Sequence, residues 1–270
     1  MARNFPPELE RIYSALDRHL TYHVGLIINY ADRNPISELH EKHLGDPIFE
    51  KFGLTDISFA QKRWAAGFAN SCATNLGRFT DKAAKAILIS AFGLSAEQVL
   101  KRVKIRSNHR TEIEETDGVI LADEVSPGHR DKVVRLAKRL GSQLPGPQPT
   151  DGLGFEFRGR YGKNDDTLIQ KDEHMAAAIT ELGAVPVLAM FSTCNAAGAM
   201  ARLKRSWVIT AGHETIELLD ELTGVDLMAY LRDREELLRP VVALTRSPPK
   251  DQAQLERALA TAEERTARLA

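Results

Sequence analysis

Asp117, Glu156 and Arg158 are the residues of this 270-residue chain whose types and spacing could do chemistry together. Asp117 opens the run DGVILA, and Glu156 and Arg158 stand two apart in GFEFRGRY. On a strand, two apart means one face of the sheet. If the two strands pair antiparallel, the start of one lies beside the end of the other, and Asp117 approaches Glu156 and Arg158 across the ladder. Two carboxylates and a cation would then converge. A hard divalent ion such as Mg2+ takes oxygen ligands, commonly one or two carboxylates together with phosphate oxygens, while a nearby cation offsets charge on the phosphate. The chemistry so described is phosphodiester hydrolysis.

Each of these residues also has a simpler reading. Asp117, following Thr116, could organise a turn ahead of a strand. Glu156 lies between Phe155 and Phe157 and faces either solvent or the interior. Arg158 and Arg160 could flank an exposed strand, and Gln170 reads first as a helix cap. Asp165, Asp166, Asp172, Glu173 and His174 have the look of metal ligands. Because 172, 173 and 174 are consecutive, however, they point in different directions on a helix, and a solvated acidic first turn is expected there. None of the eight histidines falls in an H-E-x-x-H pattern. Cys72 and Cys194 are the two cysteines and form no C-x-x-C pair, so they read as inert thiols and argue against a disulfide framework or a thiolate zinc site.

The elements that must position these side chains follow from local patterns. From residue 7 to about 100 the chain reads as helices: prolines suit the first turn of PPELERIYSALDRHL, and Gly93 ends KAAKAILISAFG. Ser95 and Gln98 form a capping box for a short helix after it. Near 103 the texture changes. VKIRS and GVILA are short runs rich in Val and Ile, bounded by polar residues, and are expected to be a strand pair. Val133, Leu136, Ala137 and Leu140 share one helical face, so a helix lies between these strands and the later ones. PGPQPTDGLG is a surface connector from which the strand carrying Glu156 emerges. Thr167 and Gln170 predict a capping box at the start of a helix over 167–182, closed by Gly183, and VPVLAMF then reads as a strand buried on both faces. Strand, helix, strand makes a parallel crossover. A strand WVIT and a helix near 213–222 follow, and from Pro240 onward a proline-broken loop and a mixed-charge helix are expected. The chain is thus read as α/β, with a helical N-terminal segment over 1–100, a mixed-sheet core over 101–235 and a C-terminal loop and helix over 236–270.

Composition excludes several classes. Hydrophobic residues make up 43% and charged residues 27%, the proportions of a folded globular chain and not of a disordered or collagen-like one. The longest apolar stretches, such as 185–191, are too short to span a bilayer, and the N-terminal MARNFPPELER has no apolar core, so a cytoplasmic location is expected. Lys plus Arg total 36 against 37 for Asp plus Glu, a net charge of -1 that by itself announces no polyanionic partner. The distribution says more. Lys101, Arg102, Lys104, Arg106 and Arg110 form an acid-free run followed at once by Glu112, Glu114, Glu115 and Asp117. A phosphodiester enzyme needs both signs together, cations for the backbone and carboxylates for an ion. Arg160, Lys204 and Arg205 extend the set of candidate DNA-binding cations.

TDGVIL, a long interval, then GFEFRGRYGKND leading into a helix and a buried strand resembles the PD-(D/E)xK nuclease superfamily, and in particular type II restriction endonucleases. The resemblance covers roughly residues 100 to 230, and ELTGVDLMAYL near its end is similar to tails of restriction enzymes. It implies a restriction-endonuclease-like mixed-sheet core and a Mg2+-dependent, site-specific endonuclease for double-stranded DNA, acting as a homodimer on a palindromic site. It also implies a cognate DNA methyltransferase encoded nearby. Asp117 and Glu156 would be the metal ligands. Two positions depart from the family pattern: Thr116 stands where the motif has proline, and Arg158 where it has lysine. Arginine stays protonated at any relevant pH, so either Arg158 acts electrostatically or Lys163 supplies the ammonium group. The competing expectation is a non-catalytic DNA-binding regulator in which the helices between 57 and 93 form a helix-turn-helix, although none of them is noticeably basic. A nucleotide-dependent metabolic enzyme is disfavoured, because no G-x-G-x-x-G or P-loop follows a strand.

Overall fold

The computed structural model describes residues 7–44, 46–107, 110–159, 161, 165–247, 249 and 252–267. Helices α1 (Pro7–Arg33), α2 (Ile36–Leu44), α3 (Pro47–Lys51), α4 (Ile57–Phe92) and α5 (Ala96–Val99) come first. They are followed by β1 (Arg102–Ser107), β2 (Arg110–Glu115), β3 (Gly118–Leu121), α6 (Pro127–Gly141), β4 (Gly152–Arg158), α7 (Asp166–Glu181) and β5 (Val185–Met190). The chain continues through α8 (Ala197–Leu203), β6 (Val208–Ala211), α9 (His213–Thr223), α10 (Leu227–Asp233), α11 (Glu235–Arg246) and α12 (Gln252–Ala267). The protein is a mixed α/β chain, and among the described residues no helix is long and apolar enough to cross a membrane.

The chain divides into two compact units, which differ from the segments 1–100, 101–235 and 236–270 read from sequence texture. One unit contains the described residues up to Tyr13 together with Asp81–Met228; the other contains Ser14–Thr80 and Ala229 onward. Residues 81–100 therefore belong with the sheets, and the C-terminal helices belong with the N-terminal ones. The helical unit buries Leu16, Leu20, Trp64 and Phe68, with the two aromatic rings stacked 4.9 Å apart. Asp17 anchors the return of the chain there, accepting from Tyr230 at 2.8 Å and from Arg234 at 2.8 and 2.9 Å.

Sequence and structure agree at Gly93, whose φ of 66° ends α4, and at the Ser95/Gln98 capping box of α5. They differ in four places. Residues 57–92 form one continuous helix of 36 residues, so the helix-turn-helix expected there does not exist; the segment contains no proline and is rich in alanine, and nothing in it breaks the hydrogen-bond ladder. VKIRS pairs not with GVILA but with the acidic strand β2, in a register that sets Arg102 opposite Glu115. Arg102 and Glu115 are the one pair of opposite charges directly across this ladder, while Glu114 of β2 is met by Lys171 of α7 at 2.8 Å. Helix α7 begins at Asp166 with Asp165 at the N-cap position, so Thr167 lies inside the first turn and forms no capping box. Helix α11 runs through Pro240 with the loss of one backbone hydrogen bond, held by the buried face of Leu237, Val241 and Leu244.

The larger sheet has the order β3-β4-β5-β6, with β3 antiparallel to β4 and the other two pairs parallel. Alternate residues of β4 serve two cores. Phe155 and Phe157 join Leu88 of α4, Val133 and Leu136 of α6, and Leu218 of α9 on one face. On the other face α7 contributes Ile169, Met175, Ala176 and Ile179, packed with Leu188 and Met190 of β5 and with Val103 and Ile105 of β1. Gly154, in the middle of β4, is what lets α7 come so close, because a Cβ there would overlap the Ile179 side chain. Gly154→Ala is therefore expected to overpack this face and destabilise the protein by about 1–3 kcal/mol, and in the double variant with Ile179→Ala, which removes the Cγ2 nearest the added Cβ, the combined loss should be smaller than the sum of the two single losses. Urea denaturation of the three variants checks this; wild-type stability in Gly154→Ala would show that the helix is not held at the glycine.

Candidate functional site

The close approach at Gly154 sets the geometry of the site. Asp172 lies seven residues before Ile179 on α7, about 10 Å along the helix, and Arg158 lies four residues beyond Gly154 on β4, about 13 Å along the strand. The two therefore meet, as do the other alternate residues of this face. Arg158 donates from Nη2 to Asp172 Oδ1 at 2.6 Å and from Nε to Asp172 Oδ2 at 3.2 Å. Its Nη2 also lies 2.6 Å from Glu156 Oε1, and its Nη1 donates to the Phe157 carbonyl at 3.1 Å. Tyr161 donates its hydroxyl to Asp172 Oδ2, and Trp207 Nε1 donates to the Asp172 carbonyl at 3.0 Å. Both ends of the Asp172 residue are thereby fixed, and Asp172 holds the guanidinium.

Asp117 arrives from β3. The ladder pairs Gly118 with Phe155, so Asp117 sits one step beyond the last pair, level with Glu156, as the antiparallel arrangement expected from the sequence requires. Its Oδ2 accepts the Phe157 backbone N–H at 2.8 Å and lies 3.6 Å from Arg158 Nη1. Its Oδ1 lies 2.5 Å from Nζ of Lys85, which projects from α4 and also lies 3.7 Å from Asp81. Thr116, at the position where the nuclease motif has proline, is buried; its hydroxyl accepts the Lys101 N–H at 3.1 Å and its own N–H donates to the Lys101 carbonyl at 2.9 Å. These two bonds tie the approach of β3 to the segment that follows α5.

Four carboxylates, Asp81, Asp117, Glu156 and Asp172, thus gather around two cations, Lys85 and Arg158. The imbalance is visible in the titrating groups. Burial, reinforced by the neighbouring Asp117 charge, pushes the Glu156 carboxyl up to about 8, and burial with Asp117 likewise raises Asp81. Burial disfavours the Lys85 ammonium, but Asp117 more than offsets this and its affinity for the proton is raised. Tyr161 is pushed up by burial and by Asp172, and remains a donor. Glu156 itself is only 4% exposed, and its Oε2 has no hydrogen-bond partner among the described residues.

Of the residues singled out from the sequence, Asp117, Glu156 and Arg158 come together. Lys163 and Arg160 lie outside the described residues, as do the side chains of Arg106 and Arg110. Lys101 is committed to Glu124 at 2.5 Å. Arg102 and Lys104 are exposed on β1, Lys204 and Arg205 are exposed after α8, and no contact joins these four to the cluster among the described residues. Asp172 corrects the reading of a solvated acidic turn, since it is fully buried while Glu173 pairs with Arg202 and His174 is exposed. The signal was present in the spacing: 172 lies three after Ile169 and three before Met175, on the apolar stripe. Lys85 and Asp81 gave no such signal, because an i, i+4 ion pair on a helix ordinarily faces solvent. His19 and His23 on α1 likewise stand at i, i+4 spacing, yet among the described residues no group of three or more His, Cys, Asp or Glu side chains is placed to hold a metal ion. No family model, no curated protein and no solved structure matches this chain.

Two outcomes follow from the cluster. Asp172→Ala leaves the Arg158 guanidinium without its two-point partner and is expected to cost about 3–5 kcal/mol, the scale of a broken buried ion pair, measurable by chemical denaturation. The Glu156 carboxyl binds its proton more tightly folded than unfolded, so unfolding releases a proton and stability falls as pH rises from the ordinary carboxyl range through about 8. Glu156→Gln should flatten that part of the stability profile; an unchanged slope would mean the carboxyl does not titrate there.

Proposed function

We propose that this chain is a Mg2+-dependent endonuclease that hydrolyses phosphodiester bonds in double-stranded DNA, of the type II restriction class, working as a homodimer on a two-fold symmetric site. The observation that carries the reading is the pair of carboxylates, Asp117 and Glu156, side by side on one guanidinium, with the buried Oε2 of Glu156 lacking a partner among the described residues. A buried carboxylate oxygen with no donor is costly, and a cation coordinated there would offset that cost. Four carboxyl groups against two cations, an excess of two negative charges when all are ionised, point the same way. Two protein carboxylates suffice for magnesium, which commonly keeps water and phosphate oxygens as its remaining ligands. The antiparallel-then-parallel order of β3, β4 and β5, with the acidic residues on the first two, supports the same reading.

Asp117 and Glu156 would hold the ion, which when bound would supply an acidified water and polarise a phosphoryl oxygen. The protein's own residues do the positioning. The Phe157 N–H aims Asp117, and Arg158 fixes Glu156 while remaining protonated, so it stabilises negative charge and accepts no proton. Tyr161 and Asp172 keep that guanidinium from turning away. The exposed cations Arg102, Lys104, Lys204 and Arg205 would serve the DNA backbone. A cognate methyltransferase would protect the host sequence. The regulator alternative loses its structural basis with the single helix over 57–92.

Purified protein incubated with a large DNA of known sequence should give discrete fragments with Mg2+ and none with EDTA. Asp117→Asn and Glu156→Gln should each lower the cleavage rate by on the order of a thousandfold, the several kcal/mol that a correctly held ion contributes, while DNA binding by gel shift persists. Wild-type cleavage in either variant would overturn the assignment of the site.

A further inference from the structure

The two cations of the cluster are held very differently. Arg158 is bound at two points by Asp172 and again by Glu156, and its side chain cannot leave without abandoning three carboxylate contacts. Lys85 has a four-carbon stem, is 18% exposed, and makes one close contact, to Oδ1 of Asp117 at 2.5 Å. The other oxygen of Asp117 is already occupied by the Phe157 N–H. A divalent ion shared by Asp117 and Glu156 must therefore contend with the Lys85 ammonium for Oδ1. Asp81 stands one helical turn before Lys85 on the same helix, 3.7 Å from its Nζ, and offers a second carboxylate to an ammonium that lets go of Asp117. Displacement consequently moves Lys85 from one acidic partner to another and does not strand it.

Resting on the metal-dependent reading above, we propose that Lys85 is a built-in competitor for the metal position, its ammonium and a divalent cation exchanging at Oδ1 of Asp117, with Asp81 receiving the displaced ammonium. Net charge at the carboxylate pair then changes by one unit on exchange, not two, and the displaced ammonium remains beside the bound ion. Lys85 is in this sense a positioning residue that sets the metal affinity of the site. The device also explains why a lysine distant in sequence is joined to the acidic strand β3 by a contact so much shorter than the one to its helical neighbour.

Mn2+ binding to the full-length chain, followed by titration calorimetry, tests this without recourse to catalysis. Lys85→Met should bind Mn2+ about tenfold more tightly than the unsubstituted protein, since the competing ion pair lowers the fraction of competent sites, and Asp117→Asn should lose binding. In the unsubstituted protein, acetylation of Lys85 by acetic anhydride, quantified by mass spectrometry, should rise severalfold on adding saturating Mn2+ and stay constant with choline chloride of equal ionic strength. Equal or weaker Mn2+ affinity in Lys85→Met, with binding intact in the unsubstituted protein, overturns the exchange and leaves the metal-dependent reading standing. Absence of Mn2+ binding in both proteins overturns both. If Lys85→Met loses its helical circular dichroism, the acetylation experiment decides alone, and unchanged Lys85 reactivity with Mn2+ overturns the exchange.

Discussion

Negative charge held inside an α/β sheet is the constraint around which the rest of the larger unit is arranged. Glu156 and Asp172 are buried beside one another's partner, and a buried carboxylate is tolerated only where a cation or hydrogen-bond donor meets it. Arg158 meets both, and it can do so only because α7 lies close against β4, which in turn requires glycine at 154. The indole of Trp207 and the hydroxyl of Tyr161 complete the enclosure. Packing and electrostatics are therefore not separate contributions here. The helix is seated by apolar contacts toward its C-terminal half, and the ion pairs of its N-terminal half follow from where that seating places them.

Much of the frame was legible from residue patterns. The strands at 118–121, 152–158, 185–190 and 208–211 and the helices between them follow from β-branched runs, an apolar stripe in each helix and glycines at the ends. The convergence of Asp117 with Glu156 and Arg158 was also legible, since it depends only on strand alternation and antiparallel pairing. Other features were hidden for physical reasons. Strand β2 is acidic and carries no β-branched run, and its strand form depends on pairing with β1, a partner its own residues do not encode. Pro240 marks a break in any local rule, whereas the buried face of Leu237, Val241 and Leu244 carries the helix through it. Asp172 stands beside two exposed or half-exposed polar neighbours in the chain, and only helical phase sets it on the buried stripe with Ile169 and Met175. Lys85 lies 32 positions before its partner, and no local pattern encodes a contact of that range.

The arrangement is economical in its use of side chains. Thr116 fixes the backbone ahead of β3 through two hydrogen bonds to Lys101. Lys101 in turn pairs its ammonium with Glu124, so the basic run over 101–110 is in part structural. Arg102 and Lys104 are the members of that run that face solvent among the described residues. The distinction between cations that build the fold and cations that face solvent could not be made from charge alone, because both kinds occupy neighbouring positions.

The alternation of β4 has a consequence for how the chain reaches this structure. Phe155 and Phe157 point to one core while Glu156 and Arg158 point to the other. A slip of one residue in the pairing of β3 with β4 would exchange these sets, driving a carboxylate and a guanidinium among Leu88, Val133 and Leu136 and presenting two phenyl rings to Asp172. Apolar strands of similar length tolerate such errors more readily, because either face of a slipped pair remains greasy. Here Glu156 and Arg158 favour the native register over any shift by an odd number of residues, because such a shift would carry charge into the apolar core.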